Sequence, residues 1–145
     1  MTALTVSGED DYVEIAEPYD PDLDAAAALD QAFERARRGR TRVLVKFGAA
    51  WCPDCRVLAG MMAVPAVASF VDRHFEMVAV HVGRYDANMD LPRRLGLTAG
   101  LEGVPALVIA EADGTLANEP RIFEWRNARE RSLQELADYL AAFAA

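Results

Sequence analysis

The amino-acid sequence predicts an α/β fold in which a mixed central sheet is flanked by helices. Segments with the apolar spacing of amphipathic helices alternate with short apolar segments that are typical of buried strands. Two cysteines, Cys52 and Cys55, stand directly after the first of those strands. Asp113-Gly114, a pair that favours a hairpin turn, precedes the last strand. Strands joined through helices are expected to be parallel, and the final hairpin is expected to be antiparallel.

The helices are predicted from capping residues and apolar spacing. The first helix begins at an acidic cap, Asp22 or Asp24, and runs to Arg38 with Gly39 as its stop. Its buried stripe is expected to consist of Leu29, Phe33 and Ala36. Further helices are expected over residues 53–62, for a turn or two from residue 65, over 91–95, and from the capping box Ser132-x-x-Glu135 to the end of the chain.

Four strands complete the alternation. They are expected over residues 41–47, 75–82, 105–110 and about 122–125. No repeat or low-complexity tract interrupts this order, so residues 22–145 are predicted to form one domain. Residues 1–21 are acidic and weakly patterned. They are predicted to form a flexible N-terminal extension that is either frayed or added to the edge of the sheet.

The charge of the chain argues against nucleic acid as a partner. The net charge is −8, whereas the phosphates of nucleic acids require basic patches. The basic cluster within residues 35–42 is interpreted as a solvated helix end, where cations complement the helix dipole. We therefore expect no nucleic-acid partner.

The hydropathy pattern argues against a membrane span. The sequence has no run of 18 or more apolar residues. Its first eleven residues lack the basic start and apolar core of a secretory signal. We therefore expect a cytoplasmic protein, or a periplasmic one if a signal has been removed, and we expect a monomer that needs no cofactor.

The pentapeptide Trp51-Cys52-Pro53-Asp54-Cys55 holds both cysteines of the chain. A strand that ends there and continues as a helix places the first sulfur at a helix N-terminus, where unpaired N–H groups and the positive end of the dipole favour a thiolate. The second cysteine follows about one helical turn later. The pattern therefore predicts a redox pair that opens and closes without a large backbone movement.

Three other interpretations of the cysteine pair remain open. A structural disulfide would close a very small loop and would constrain the unfolded chain little. A zinc site needs about four ligands. The sequence offers only His74 and His81 beyond the cysteines, and no metal is expected. The cysteines could also be inert and buried, although Pro53 is well suited to open a helix directly after Cys52.

The element order together with these motifs resembles the thioredoxin superfamily over residues 22–145. The residues that carry the resemblance are Phe47, Trp51, Cys52, Pro53, Cys55 and, far downstream, Gly103-Val104-Pro105. Two segments, 47–52 and 82–88, are most similar to bacterial thioredoxin-like proteins, and the Cys-Pro-Asp-Cys centre is also similar to that of eukaryotic thioredoxin-related proteins.

The resemblance implies a substrate groove beside the cysteines. In the family, a cis proline opens the third core strand and packs beside the redox pair; here this would be Pro105. A cis bond would leave the backbone of Val104 facing the groove, where a substrate strand could pair with it. Trp51 would form the opposite wall, and Pro53 and Asp54 would complete the substrate-binding residues.

Several positions depart from the thioredoxin pattern. Lys46 stands where thioredoxins carry a buried acid below the cysteines. Gly60 stands where they carry a proline that kinks the active-site helix. The loop 98–102 is longer than usual, and Asn127-Ala128 replaces a glycine-containing loop that borders the groove. These surfaces select partners, so the electron donor is not identified by the resemblance.

The resemblance implies a thiol–disulfide oxidoreductase in which Cys52 attacks a disulfide and Cys55 resolves the mixed disulfide. Substrates would be disulfides of proteins or small molecules. The carboxylate of Asp54 opposes a nearby thiolate, which favours a reducing role. The alternative function is a redox-sensing or chaperone-like binding module without efficient turnover.

Overall fold

The computed structural model describes residues 3–6 and 12–144. Its elements in chain order are α1 (Ala25–Gly39), β1 (Arg42–Gly48), α2 (Pro53–Met62), α3 (Pro65–His74), β2 (Phe75–His81), α4 (Asp90–Arg94), β3 (Ala106–Ala110), a 3₁₀ helix (Glu124–Glu130) and α5 (Leu133–Ala142). The predicted helices and the first three predicted strands are all present, with ends that differ by one or two residues in most cases.

The sheet is mixed, with the strand order β2-β1-β3. β1 pairs with β2 in parallel and with β3 in the antiparallel direction. The expectation that all strands joined through helices are parallel is therefore wrong for β3. The five residues of α4 span about 7.5 Å, so this helix does not return the chain along the roughly 23 Å of a seven-residue strand. β3 consequently begins near the end of the sheet where β2 finishes.

Helices cover both faces of the sheet, as predicted. On one face, α2, α3 and α5 pack against Leu44, Leu107 and Ile109. On the other face, α1 packs against a cluster that includes Val45 and Val108. The alternation of side chains along β1 and β3 explains this division, because successive residues of a strand point to opposite faces.

The predicted strand at about 122–125 is wrong, because these residues lead into the 3₁₀ helix. The expected turn at Asp113-Gly114 is confirmed: the N–H of Gly114 donates to the carbonyl of Glu111 over 2.8 Å. The chain then pairs with β3 only briefly, at a bridge between Ala110 and Leu116. Beyond the bridge, a side chain takes over the pairing.

That side chain belongs to Asn118, which is fully buried. Its Oδ1 accepts from the N–H of Ile109 over 2.9 Å, and its Nδ2 donates to the carbonyl of Leu107 over 2.7 Å. Nδ2 also lies 2.7 Å from the hydroxyl oxygen of Tyr139 on α5. This one amide therefore replaces part of the backbone pairing of a fourth strand, and the carbonyl of Ile122 accepts from the N–H of Leu107 over 3.1 Å.

The C-terminal end of α1 and the length of α3 differ from the predictions, whereas the predicted caps of α1 and α5 are present. Asp24 caps α1, since its Oδ1 accepts from the N–H of Ala27 over 3.1 Å. Gly39 belongs to the helix instead of stopping it, and Arg40 is the left-handed residue, with φ 58°. The helix that Pro65 opens continues for ten residues. The capping box of Ser132 and Glu135 is confirmed.

The described part of the N-terminal extension lies on α5 and α2. The N–H of Val6 donates to Oε1 of Gln134 over 3.0 Å, and the N–H of Ile15 donates to the carbonyl of Arg56 over 3.1 Å. Residues 3–6 and 12–21 form none of the three strands of the sheet, contrary to the edge-strand alternative. Residues 1–2 and 7–11 lie outside the described residues, and the domain boundary at residue 22 stays a prediction.

Gly60 explains how the extension can cross α2. A Cβ on Gly60 would overlap the carbonyl of Val13. The glycine that replaces the expected kink proline is therefore the point of closest approach between the extension and α2.

Within the described residues, no single helix is long and apolar enough to cross a membrane. α2 and α3 together pass that criterion, but they meet at an angle of 82°.

Candidate active site

The cysteine pair lies where β1 passes into α2. Cys52 is the N-cap of α2, with an extended backbone (φ −88°, ψ 114°), and Pro53 is the first helical residue. Sγ of Cys52 accepts a hydrogen bond from the N–H of Cys55 over 3.2 Å. Cys52 thus occupies the N-cap position, where serine or aspartate is common. Its sulfur accepts a hydrogen bond from one of the N–H groups that have no partner within the helix.

The two sulfurs differ in exposure and in acidity. Both cysteines are free thiols; Cys52 is 4% exposed and Cys55 is fully buried. The hydrogen bond from the Cys55 thiol, assisted by the N–H groups of Cys55 and Asp54, lowers the pKa of Cys52 to about 7. The same hydrogen bond and burial raise the pKa of Cys55 well above its usual range. Cys52 is therefore the thiolate of the pair, and Cys55 is the protonated partner.

The predicted cis bond at Val104–Pro105 is confirmed. The carbonyl oxygen of Val104 lies 3.7 Å from Sγ of Cys52, so the start of β3 borders the sulfur. A second cis bond, at Glu119–Pro120, was not expected from the sequence.

Trp51 lies beside the cysteines with 38% of its surface exposed. Its Nε1 donates to the carbonyl of Gly83 over 2.6 Å. The ring of Tyr85 meets it edge-on at 5.9 Å between centroids, and the guanidinium of Arg84 lies 5.6 Å from its ring centroid. The wall predicted for Trp51 alone is therefore an aromatic surface shared with Tyr85.

Tyr85 was not among the site residues predicted from the sequence. It is 43% exposed and has a left-handed backbone, with φ 65°. Partial burial and the negative charge of the cysteine pair raise the pKa of Tyr85. The signal was available, because Tyr85 lies within the segment 82–88 that carries part of the family resemblance.

Asp54 is bound by the 3₁₀ helix. Its Oδ1 accepts hydrogen bonds from the backbone N–H of Arg129 over 2.8 Å and from Nε of Arg129 over 3.1 Å. Its carboxylate nevertheless raises the pKa of Cys52, in the predicted direction. Of the loop expected to border the groove, Asn127 is exposed and Ala128 is buried.

A second arginine of the 3₁₀ helix supports the loop before Pro105. Nη1 of Arg126 donates to the carbonyl of Glu102 over 2.8 Å. Its Cδ lies 2.6 Å from the position that a Cβ on Gly103 would occupy. Gly103 has φ +145°, so both its backbone and its contact with Arg126 require glycine. Sequence analysis did not identify Arg126 or Arg129, because nothing local in the 3₁₀ helix shows that it packs on α2.

A buried polar cluster lies below the cysteines. Lys46 is 4% exposed, and its Nζ lies 5.3 Å from the ring centroid of Tyr19. The hydroxyl oxygen of Tyr19 and Sγ of Cys55 lie 2.6 and 2.7 Å from the position of a Cβ on Gly48. Tyr19 comes from the N-terminal extension, and sequence analysis missed it because the extension carries no recognisable pattern.

In residues 3–6 and 12–144, no group of three or more His, Cys, Asp or Glu side chains could hold a metal ion.

Comparison with known proteins agrees with this geometry. A family model described as thioredoxin-like matches residues 24–112. A thioredoxin from Alicyclobacillus acidocaldarius subsp. acidocaldarius is 31% identical over 80 residues, which cover 55% of this chain and 68% of that protein. The structure of a disulphide isomerase from Xylella fastidiosa Temecula1 is 32% identical with a TM-score of 0.80, and the alignment covers 87% of this chain and 95% of that one.

Proposed function

Since this chain belongs to the thioredoxin-like family, we propose that it is a thiol–disulfide oxidoreductase whose main reaction is the reduction of disulfides. The fold and the relatives support thiol–disulfide chemistry in general. The observation that carries the proposal for this chain is the pairing of two unlike sulfurs. Cys52, with a pKa of about 7, borders the carbonyl of Val104, while Cys55 lies buried and protonated behind it.

The proposed reaction has two exchange steps. The Cys52 thiolate attacks one sulfur of the substrate disulfide, which forms a mixed disulfide and expels the other substrate sulfur as a thiolate. Cys55 then loses its proton and attacks Sγ of Cys52, which releases the second substrate sulfur. The protein ends as the Cys52–Cys55 disulfide, and the substrate has gained two electrons. A dithiol donor, whose identity is open, returns the protein to its reduced form.

The acidity of Cys52 supports the reducing direction. A pKa of about 7 is similar to that of reducing enzymes of this fold, whereas strong oxidants have values near 3.5. The carboxylate of Asp54 contributes, because it raises the pKa of Cys52 and so disfavours the thiolate. A less stable thiolate makes the dithiol form a better reductant. We expect this reaction in the cytoplasm, where dithiols are kept reduced.

The shape of the site supports an extended disulfide substrate. Val104 offers backbone to a substrate strand on one side of Cys52, and the aromatic surface of Trp51 and Tyr85 lies nearby. Main-chain pairing gives affinity for many sequences. The site is therefore suited to exposed disulfides of proteins, and to small disulfides that fit between the two walls.

The test is insulin reduction with dithiothreitol as the electron donor. The wild-type protein is expected to accelerate precipitation of the insulin B chain, and Cys52→Ser is expected to abolish the acceleration. Cys55→Ser is expected to accumulate a mixed disulfide with insulin. Retention of a thiol-dependent partner without turnover would instead support a binding module.

A second assay separates reduction from isomerisation, the activity in the name of the Xylella protein. Recovery of activity by scrambled ribonuclease requires disulfide rearrangement without net reduction. We expect this protein to accelerate the recovery of ribonuclease activity only weakly, although it accelerates the reduction of insulin. Efficient recovery without added dithiol would overturn the assignment of a mainly reducing role.

A further inference from the structure

Lys46 is the only lysine in a chain that also contains 14 arginines. It lies in the middle of β1, where its neighbours on the adjacent strands are Ala79 and Leu107. Its side chain is 4% exposed, and its Nζ lies over the ring of Tyr19. An ammonium group at a buried position is costly, so a lysine here calls for a chemical explanation.

The chemical explanation lies in the residues that Lys46 faces. Its Nζ approaches the ring of Tyr19. The Tyr19 hydroxyl and Sγ of Cys55 both lie next to the position that a Cβ on Gly48 would occupy. That hydroxyl is buried and has no hydrogen-bond partner among the described residues. Lys46, Tyr19 and Cys55 therefore form one enclosed polar cluster, which we call the buried cluster.

We propose that Lys46 is the base that accepts the proton of Cys55 in the second exchange step, and that the Tyr19 hydroxyl donates a hydrogen bond to the Cys55 thiolate. This inference rests on the dithiol reaction proposed above. It assigns to a lysine, and to a tyrosine of the N-terminal extension, the task for which thioredoxins use a buried acid.

The proposed step is balanced within the cluster. The proton of the Cys55 thiol passes to the neutral amine of Lys46, which becomes an ammonium. The Cys55 thiolate attacks Sγ of Cys52, the Cys52–substrate bond breaks, and the substrate sulfur leaves with the electron pair. When the disulfide is reduced again, the ammonium returns its proton to Cys55.

Electrostatics in the cluster fits this role. Burial lowers the pKa of Lys46 to about 8, so a neutral amine is available near neutral pH. Cys52 and Lys46 shift the pKa of Cys55, and the charge of the cysteine pair in turn raises the pKa of Tyr19 and Tyr85. Among them, the ammonium of Lys46 is the group whose charge lowers the pKa of Cys55. Proton transfer thus creates a thiolate beside the ammonium that stabilises it.

Stopped-flow reaction of the reduced protein with 5,5′-dithiobis(2-nitrobenzoate) separates the two steps. Attack by Cys52 releases a first thionitrobenzoate, and attack by Cys55 releases a second. The wild-type protein should show both phases, and Cys55→Ser should lack the second. Absence of both phases in the wild-type protein would contradict the proposed function itself rather than the role of Lys46.

Lys46→Met keeps the length and apolar stem of the side chain and removes the amine. We expect the second phase at pH 7 to slow by about tenfold or more, with the first phase changed by less than about threefold. Tyr19→Phe should slow the second phase in the same selective way but less strongly. Equal slowing of both phases, or no slowing of the second, would overturn the proposal.

Wild-type protein provides a measurement that does not depend on a variant. Because the chain has one lysine, protein labelled with ¹³C at the lysine ε carbon gives a single side-chain signal. We expect this signal to titrate near pH 8 in the dithiol form. The midpoint should fall when the protein is oxidised, because the cysteine charge that raises it disappears. A midpoint above about 10 in both forms, or an unchanged midpoint on oxidation, would show that Lys46 does not exchange protons with the pair.

Discussion

Cys52 and Cys55 are chemically identical side chains that their surroundings make different. The cap position gives Cys52 the N–H of Cys55, and the buried Cys55 gives it a thiol donor. The proton therefore stays on the fully buried sulfur of Cys55, and the charge stays on Cys52, which is 4% exposed. This division of roles follows from two features: Cys55 lies three residues after Cys52, and α2 begins directly after Cys52.

The first prediction concerns the source of the low pKa of Cys52. Cys55→Ala removes the donor, so the midpoint of Cys52 alkylation should rise from about 7 towards the usual value near 8.5. Cys55→Ser keeps a donor of similar size and should change the midpoint less. The measurement is the rate of iodoacetamide labelling between pH 5 and 10. Equal midpoints in the two variants would mean that the helix N-terminus alone sets the acidity.

Asp54 and Arg129 act on Cys52 as a pair with opposite charges. The Asp54 carboxylate raises the pKa of Cys52, and Arg129 offsets part of that charge through its two hydrogen bonds to Oδ1. The Arg129 side chain is 62% exposed, so salt should weaken its attraction to the Asp54 carboxylate. The balance between these two residues is a means of tuning the redox potential.

The second prediction uses both residues. Asp54→Asn keeps the acceptor for the Arg129 N–H but removes the charge, so the pKa of Cys52 should fall and the potential should rise, by about 30 mV for each unit. Arg129→Gln leaves the carboxylate unopposed and should shift both quantities in the other direction. Redox titration against glutathione measures the potentials. Shifts of the same sign in the two variants would contradict this account.

At the scale of secondary structure, a buried amide and the backbone carbonyl of Ile122 together complete the edge of β3. A regular fourth strand would pair with β3 through alternate backbone groups. Here Asn118 supplies both a donor and an acceptor, and Tyr139 adds a link to α5. The chain is thereby free to turn into the 3₁₀ helix, whose arginines reach Asp54 and the loop before Pro105.

The third prediction tests this substitution of a side chain for a strand. Asn118→Ala leaves the N–H of Ile109 and the carbonyl of Leu107 buried without partners, so the free energy of unfolding should fall by about 2–5 kcal/mol. Asn127→Ala, at an exposed position in the 3₁₀ helix, is the matched control and should change it by no more than about 0.5 kcal/mol. Urea denaturation measures both. A small loss in Asn118→Ala would mean that the edge of β3 is not held by this amide.

At the scale of the whole molecule, the N-terminal extension is part of the active-site architecture. Its described residues contact α5 through Val6 and α2 through Ile15, and they bring Tyr19 below Cys55. Gly60 makes the crossing over α2 possible. The extension therefore packs on the helices at the surface of the fold and also contributes Tyr19 to the buried cluster.

The fourth prediction tests that connection. In a helix, glycine to alanine ordinarily stabilises by up to about 1 kcal/mol. Gly60→Ala should instead lower the free energy of unfolding and make the extension more sensitive to protease, because the new Cβ displaces Val13. Gly39→Ala is the control: its Cβ would meet only Oγ1 of Thr41, at 4.0 Å, so it should stabilise. Stabilisation in both variants would mean that the extension does not lie on α2.

The sequence by itself determined the class of fold and the position of the candidate redox pair. Alternating periodicities located the helices and three strands, and the helix start at Cys52, Pro53 and Cys55 could be predicted because capping and spacing are local properties. The direction of β3 and the loss of the fourth strand were decided by tertiary structure. The direction of β3 depends on the path of the chain after β2, and the loss of the fourth strand depends on the contact of Asn118 with β3. Local sequence patterns predict neither of these.

The same distinction applies to the residues around the sulfurs. Trp51, Val104 and Pro105 could be predicted from the family resemblance, and the structure brings Val104 within 3.7 Å of Cys52. Arg129 and Tyr19 could not, because each lies far along the chain from Cys52 and Cys55 and reaches the site only through the packing of a whole element. Local sequence therefore specified where the two sulfurs lie relative to α2, whereas tertiary structure decided which charges and donors surround them, since electrostatic interactions depend on distance in space and not on separation along the chain.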